Sequence, residues 1–542
     1  MKNMKYIVPA AAVVLTLGAT SCADELGLSV QDPQTTTEFN SNAFLAKVYG
    51  SLVLTGQTGG SGDADMKQFD EGNSSLYRRL FEANELGTDE TIWTWQGDAG
   101  IPELTNLTWD ASHSYTELTY YRLMYNVTLC NSFLDQTEGT SDAQTLQNRA
   151  EVRFVRALNN FHFIDLYGKA PYKEHVSTAL PEQRSRKEMF DIVVSELESV
   201  IAGTVPGEQL LEFAGTDDNY GRADQYAAKM LLARLYLNAE VYTGTAQWDK
   251  AYQYADEVIS GGQYKLCTDS LNGYSAFQQV FMGDNGENAN ARQEIIFPIR
   301  QDGNTTRSYG GSVYTIASCT GSDSPTQSLT SSQWTCNRAR QSGVLLFFNN
   351  KSSVPMDKTV KEVAEAAADN RALFFSGAGR TFETEDKTTF TAGLGIMKWD
   401  NTYCDTVANG KPHNETFADT DIPLIRLAEA YMTRAEAAYR MGKADQALAD
   451  INVLRDRANA ASLTELSERT LIDEWGREFY FEGRRRSDLV RFNLFTTGDY
   501  VWDWKGGSYE GIAVNSCYNI YPIPSAELAA NSNMTQNDGY AK

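Results

Sequence analysis

The chain has 542 residues, enough for two or three ordinary domains or one large one, and 42% of them are hydrophobic, so a sizeable core can form. Its formal net charge of -24, without an extended basic run, excludes electrostatic capture of nucleic acid or of anionic lipid headgroups. Seven cysteines without a CxxC pair and four scattered histidines leave no zinc motif.

The N-terminus reads as an export signal. Lys2 and Lys5 precede an apolar stretch at 7–17 that is too short to span a bilayer. Ala19, Thr20 and Ser21 then lead to Cys22. Small residues before a single cysteine predict a lipoprotein signal peptide over 1–21, with Cys22 the acylated anchor. Residues 23–39 are polar and read as a tether, and no later segment is apolar enough to be a transmembrane helix. The mature chain is expected to divide into an N-terminal helical region, 22–245, and a C-terminal region, 246–542, with a loop-rich insert at about 271–398.

Apolar periodicity predicts helices over 43–54, 115–134, 146–167 and 186–202. In the third, Ala150, Phe154, Ala157 and Phe161 form a stripe whose small members permit close packing. Residues 223–242 and 248–260 form a helical hairpin, in which Ala239 precedes Ala251 by twelve residues. The same offset separates Ala435 from Ala447. Small residues at matching offsets let antiparallel helices touch, the pattern of tetratricopeptide repeats. An ordinary helical hairpin would show the same spacing.

Between helices, loops carry the unusual residues. Residues 56–72 are rich in Gly, Asp and Ser. Trp93 and Trp95 follow, separated by one residue among loop-forming neighbours, so an extended chain would turn both to the same side. The insert has few long periodic segments; 293–300 (QEIIFPIR) reads as a strand, and 306–312 and 330–336 as exposed loops bearing Tyr309 and Trp334. Long loops on a rigid scaffold are where binding usually resides. Asp284 and Glu287, in DNGENAN, have oxygen ligands suited to calcium but lack the full EF-hand spacing. Cys319 and Cys336 share one loop region and are the best-placed pair for a disulfide, although spacing alone does not give geometry.

Residues 471–492 (LIDEWGREFYFEGRRRSDLVRF) place Leu471, Trp475 and Phe479 on one apolar helix face. Glu474 and Glu478 permit a catalytic reading or an ion-paired, core-facing one. Gly483 allows a sharp turn, and Arg484, Arg485 and Arg486 offer three forks for carboxylates or carbonyls.

Several of these blocks together resemble the SusD/RagB family of outer-membrane glycan-binding lipoproteins. They are the Cys22 start, NELGTDETIW at 84–93, AEVRFVRAL at 150–158, GRADQYAAKMLLARLYLNAEVYTG at 221–244, QEIIFPIRQDG at 293–303, DTDIPLIRLAEAYMTRAEA at 419–437, the 471–492 stretch, and YPIP at 521–524. TRSYGGS and DWKGG are similar to starch-binding members. The resemblance implies an all-α fold of tetratricopeptide-like pairs supporting a loop-rich glycan-binding face, with no enzymatic activity and no required cofactor. It implies a lipid-anchored protein on the outer face of the outer membrane that captures starch or maltooligosaccharides. Its expected partners are a TonB-dependent transporter, other surface glycan-binding lipoproteins and an amylase. Asp24 and Glu25 after Cys22 resemble the acidic export signal of such surface lipoproteins. An aromatic arc of these starch binders corresponds to Trp93, Trp95, Tyr309 and, with a loop-length difference, Trp334. Arg78 matches an arginine that hydrogen-bonds sugar hydroxyls. The family's asparagine near the Trp pair corresponds to Asp98, which keeps an acceptor and loses the amide donor. Trp109, Trp399 and Trp475 are expected in the core.

Two rivals remain. A helical glycoside hydrolase would need two carboxylates flanking the scissile bond; Asp89 and Glu90 lie near the Trp pair but, adjacent in an extended segment, point to opposite faces. A member of the same family could also bind a different glycan or a peptide.

Overall fold

The long periodic stretches fold as helices with capped ends. The computed structural model describes residues 39–56, 59–62, 64–66, 70–325, 330–405 and 414–541; the signal segment and Cys22 lie outside them. In chain order the main elements begin with α1 (Ser41–Gly50), α2 (Leu76–Glu85), β1 (Thr91–Trp93) and α3 (Ile101–Asn106). The long helices α4 (Ser114–Gln136), α5 (Ala143–Leu166), α6 (Arg186–Ala202), α7 (Gln225–Leu237) and α8 (Trp248–Gly261) follow. Then come β2 (Ile295–Ile299), α9 (Ser312–Ala317), β3 (Asn337–Ala339) and β4 (Ile422–Arg426). The last are α10 (Leu427–Arg440), α11 (Ala444–Arg457), α12 (Glu468–Phe479) and α13 (Arg485–Arg491). Asp142 caps α5 through the Thr145 N–H, and Asp224 caps α7 through that of Ala227. Ser185 and Glu188 close a full capping box on α6.

Helices α4 to α8 pack each on the next, α8 packs on α10, and α10 on α11. The second helix of one hairpin thus meets the first of the other, although about 165 residues separate them in the chain. Ala150, Ala157, Ala227, Ala251, Ala255, Ala435 and Ala447 are all fully buried, which lets the backbones approach as the spacing predicts. Every sheet among the described residues has two strands. β1 pairs antiparallel with β3, placing Trp93 opposite Asn337, and β2 pairs with β4 across an irregularity near Phe297.

The 471–492 stretch is scaffold. Glu478 accepts from Arg426 at 2.7 Å, from Arg457, and from Arg371 at 3.3 Å. Burial works against its charge, but Arg457 and Arg426 hold its carboxyl down at about 2. Glu474 is likewise engaged by Arg371, Arg455 and Arg477. Gly483 turns the chain at φ +76. Arg484 then binds Asp488 and Glu429, Arg485 binds Asp89, and Arg486 reaches Asp165 and the Asn519 carbonyl. The ion-paired reading of this helix is the one the structure bears out.

Candidate functional site

One open cleft of about 880 Å³ gathers most of the side chains singled out from sequence: Arg78, Trp95, Asp98, Tyr309 and Trp334 all line it. Several separate segments supply its wall, the stretch from Gly60 to Asn73 among them. α2 presents Arg78, the β1 turn presents Trp95 and Asp98, the start of α4 presents Ser114 and Tyr115, and the loops at 309 and 334 close the opposite side.

The aromatic rings form a continuous chain. Trp95 meets Trp93 edge-on at 5.7 Å, Trp93 stacks on Tyr314 at 6.0 Å and 17°, Tyr314 meets Trp334 at 6.4 Å, and Trp334 meets Tyr309 at 6.2 Å. Phe417 backs Tyr309 at 5.0 Å. The two Trp of the pair differ in depth, which corrects the expectation that both face a ligand. Trp95 is 38% exposed, whereas Trp93 is 1% exposed, held down by strand pairing with β3 and by the flat contact with Tyr314. Trp93 therefore supports Trp95 from beneath, and its indole N–H points to Asp98 Oδ2 at 3.4 Å.

Arg78 is nearly buried, with its guanidinium 4.6 Å above the Tyr314 ring. Its Nε donates to Glu82 at 2.8 Å, while Nη1 and Nη2 have no protein partner among the described residues. Unfilled donors on a cleft floor suit hydroxyl ligands. Glu71 positions the far wall: one oxygen accepts from Thr55 Oγ1 at 2.6 Å and the other from the Tyr309 N–H at 2.9 Å. Gly72 is required beneath that contact, because a Cβ there would sit 2.6 Å from Tyr309 Cβ. Tyr115 covers Arg79 at 4.3 Å, and burial pushes its phenol up to about 12. Tyr115, Glu71 and Tyr314 escaped the sequence reading. Tyr115 opens an ordinary amphipathic helix, and the roles of Glu71 and Tyr314 come only from contacts distant in sequence.

Comparison with known proteins places the chain in a family. Residues 293–540 match the SusD family. Over 570 aligned residues, covering 99% of both chains, the sequence is 46% identical to the starch-binding protein SusD of Bacteroides thetaiotaomicron. The chain belongs to the SusD family. A SusD-like protein, P25, of Formosa agariphila is 23% identical over 77% of each chain. Among solved structures, surface glycan-binding protein A from Bacteroides thetaiotaomicron, in complex with laminarihexaose, superposes with a TM-score of 0.64. That match has 19% identity and covers 92% of this chain and 98% of the other. A SusD-like protein from Bacteroides fragilis superposes with a TM-score of 0.66 at 18% identity, covering 92% and 96%. The all-α, SusD-like fold class expected from sequence holds.

Other sequence candidates lie away from the cleft. Among the described residues no group of three or more His, Cys, Asp or Glu is placed to hold a metal ion. Both Asp284 oxygens instead accept backbone N–H groups, from Cys404 at 3.1 Å and Asp405 at 2.7 Å. Cys319 and Cys336 are buried free thiols rather than a disulfide. Asp89 and Glu90, the carboxylates considered for hydrolysis, are buried under the cleft. Asp89 is held by Arg485 and Tyr500, and Glu90 by the Phe481 N–H. No helix among the described residues is long and apolar enough to cross a membrane.

Proposed function

We propose that this protein is a cell-surface binder of starch-type α-glucan, without enzymatic activity, that captures maltooligosaccharides and passes them to a TonB-dependent outer-membrane transporter. The observation that carries the reading is the cleft itself: three solvent-facing rings, Trp95, Trp334 and Tyr309, converge with an arginine whose two Nη groups lack acceptors among the described residues. A pyranose presents apolar C–H faces to rings and hydroxyls at its edge, and this set offers both kinds of partner. The tilt of 47° between Tyr309 and Trp334 makes a curved rather than flat surface, which suits a coiled α-glucan. The 46% identical relative carries the name of a starch-binding protein. Asp98 adds an acceptor at the rim.

The anchor in this reading is lipid on Cys22, followed by a polar tether. Cys22→Ala would then release the protein from the outer-membrane fraction.

Affinity electrophoresis in starch gels tests the site. Replacing Trp95, Tyr309 and Trp334 by Ala abolishes retardation while the melting temperature holds; unchanged retardation would sink the assignment. A glycan array separates α-glucan from any other ligand, and co-purification of a TonB-dependent transporter tests the hand-over.

A further inference from the structure

Beyond the cleft, α3 leads along the surface to a second pair of aromatic rings. Asp98 and Ala99 line the cleft, and α3 begins at Ile101. Ile101, Leu104 and Thr105 bury one face of the helix. Ala99, Pro102, Glu103 and Asn106, spaced as one helical face, are exposed or half-buried. They make a solvent-facing path about 10 Å long from the cleft rim to Asn106.

At its far end Asn106 Oδ1 accepts from Lys387 Nζ at 3.3 Å, and a Cβ at Gly507 would lie 3.9 Å from Asn106 Cβ. The Lys387 ammonium sits 4.0 Å from the Trp504 ring centre, and Trp504 meets Tyr509 at 5.8 Å and 58°. Both rings are half-buried.

The loop is built to hold Trp504 there. Trp504 adopts φ +70, a left-handed conformation that a bulky side chain rarely takes. Buried Lys505 anchors the loop through three carbonyls, of Leu494 (3.2 Å), Thr497 (2.7 Å) and Tyr500 (2.7 Å). The Trp504 indole N–H donates to the Thr384 carbonyl at 2.9 Å, and Gln341 Nε2 donates to Tyr509 Oη at 2.8 Å. A tilted ring pair, rigidly held, with an ammonium over one face of Trp504 and an amide beside it, has the make-up of a saccharide platform.

We propose that Trp504 and Tyr509, with Lys387 over one face of Trp504 and Asn106 beside it, form a second saccharide subsite that engages the same glucan chain after it leaves the cleft. The inference rests on the glucan-binding reading above. The occupant is argued from continuity: a polymer seated on Trp95 that follows the exposed face of α3 arrives at Trp504. A short oligosaccharide fills only the cleft, whereas a long one makes both contacts, the second at the high effective concentration of a tethered group.

Titration calorimetry on the full mature chain tests this with maltotriose and maltodecaose. Trp504→Ala and Tyr509→Ala leave maltotriose affinity within about twofold and weaken maltodecaose roughly fivefold. Tyr509→Ala keeps the test available if Trp504→Ala does not fold. Unchanged affinity for both sugars overturns the subsite, as does an equal loss for both. Unchanged sugar binding with lost transporter co-purification also overturns it and marks a protein-docking face. Failure of the cleft reading shows separately, as unaltered maltotriose affinity in Trp95→Ala.

Discussion

Arg485 and Asp89 form a two-pronged ion pair, 2.8 Å on each prong, that joins the C-terminal scaffold to the loop carrying the cleft's tryptophans. Both are fully buried, and Tyr500 donates a further hydrogen bond to Asp89. Burial pushes the Asp89 carboxyl up, but the Arg485 guanidinium outweighs it and holds the group below the usual carboxylate range. Arg485→Ala would leave that carboxylate buried and unpaired, which costs about 3–5 kcal/mol. Urea denaturation reads the loss directly. Arg485→Lys recovers only part of it, because an ammonium cannot match both oxygens. A loss below about 1 kcal/mol for the alanine variant would mean that water or Arg469 takes over the partnership.

The two tryptophans separate stability from binding. Trp93→Ala removes a ring from the core and costs about 3–5 kcal/mol. Trp95→Ala removes one from the surface, so stability changes by less than about 0.5 kcal/mol. Starch affinity in Trp95→Ala falls at least about fivefold, through the lost stacking face. Thermal melts and starch-gel retardation on both variants check the division; equal melting temperatures would contradict it.

That division was hidden in the sequence for a physical reason. Trp93 and Trp95 sit two apart, so the period of a strand assigns them the same side and is silent about depth. Depth comes from β3 and Tyr314, more than 220 residues downstream, which cover one indole and leave the other free. Helices were legible because their apolar stripes are local: 186–202 agrees with α6 to the residue. The partners of Asp284 were equally hidden. Its oxygen-rich string is local, whereas the N–H groups of Cys404 and Asp405 that its carboxylate accepts lie some 120 residues away. Tyr309 and Trp334 were flagged by the long loops that carry them, whereas Arg78 and Asp98 reached the cleft through family resemblance rather than through any pattern in the residues themselves.

Tyr314 is the hub of the aromatic chain, fully buried between Trp93, Trp334 and the Arg78 guanidinium. Its hydroxyl has no hydrogen-bond partner among the described residues. Tyr314→Phe therefore keeps every ring contact and removes an unsatisfied polar atom, so stability holds or rises by up to about 1 kcal/mol and starch binding is unchanged. Tyr314→Leu keeps a core side chain but loses the flat contact with Trp93 and the cation–π contact with Arg78, and it weakens starch binding severalfold. If the leucine variant binds like the parent, Tyr314 is packing alone.

Stability should fall on the alkaline side of about pH 5. Burial pushes Glu85 and Asp421 up to about 7, and Asp224 and Asp400 up to about 6. Glu90, which faces Glu85, is raised by burial and then by Glu85 itself. For each of these the folded protein holds a proton that the unfolded chain releases near the ordinary carboxylate value. Their contribution is therefore complete below about pH 4.5 and is lost as pH rises through 6 to 7, by roughly 1 kcal/mol per pH unit for each proton involved. Glu478 and Asp89 act with the opposite sign: their lowered values contribute above about pH 4.5 and lose that contribution as pH falls through the folded value. Urea midpoints at pH 5, 6.5 and 8 measure the slope. Glu90→Gln, which is neutral at every pH, should flatten it, because the raised Glu90 titration is removed while the amide still offers Glu85 a donor; a slope identical to the parent's would place the alkaline loss at Asp421, Asp224 and Asp400 instead.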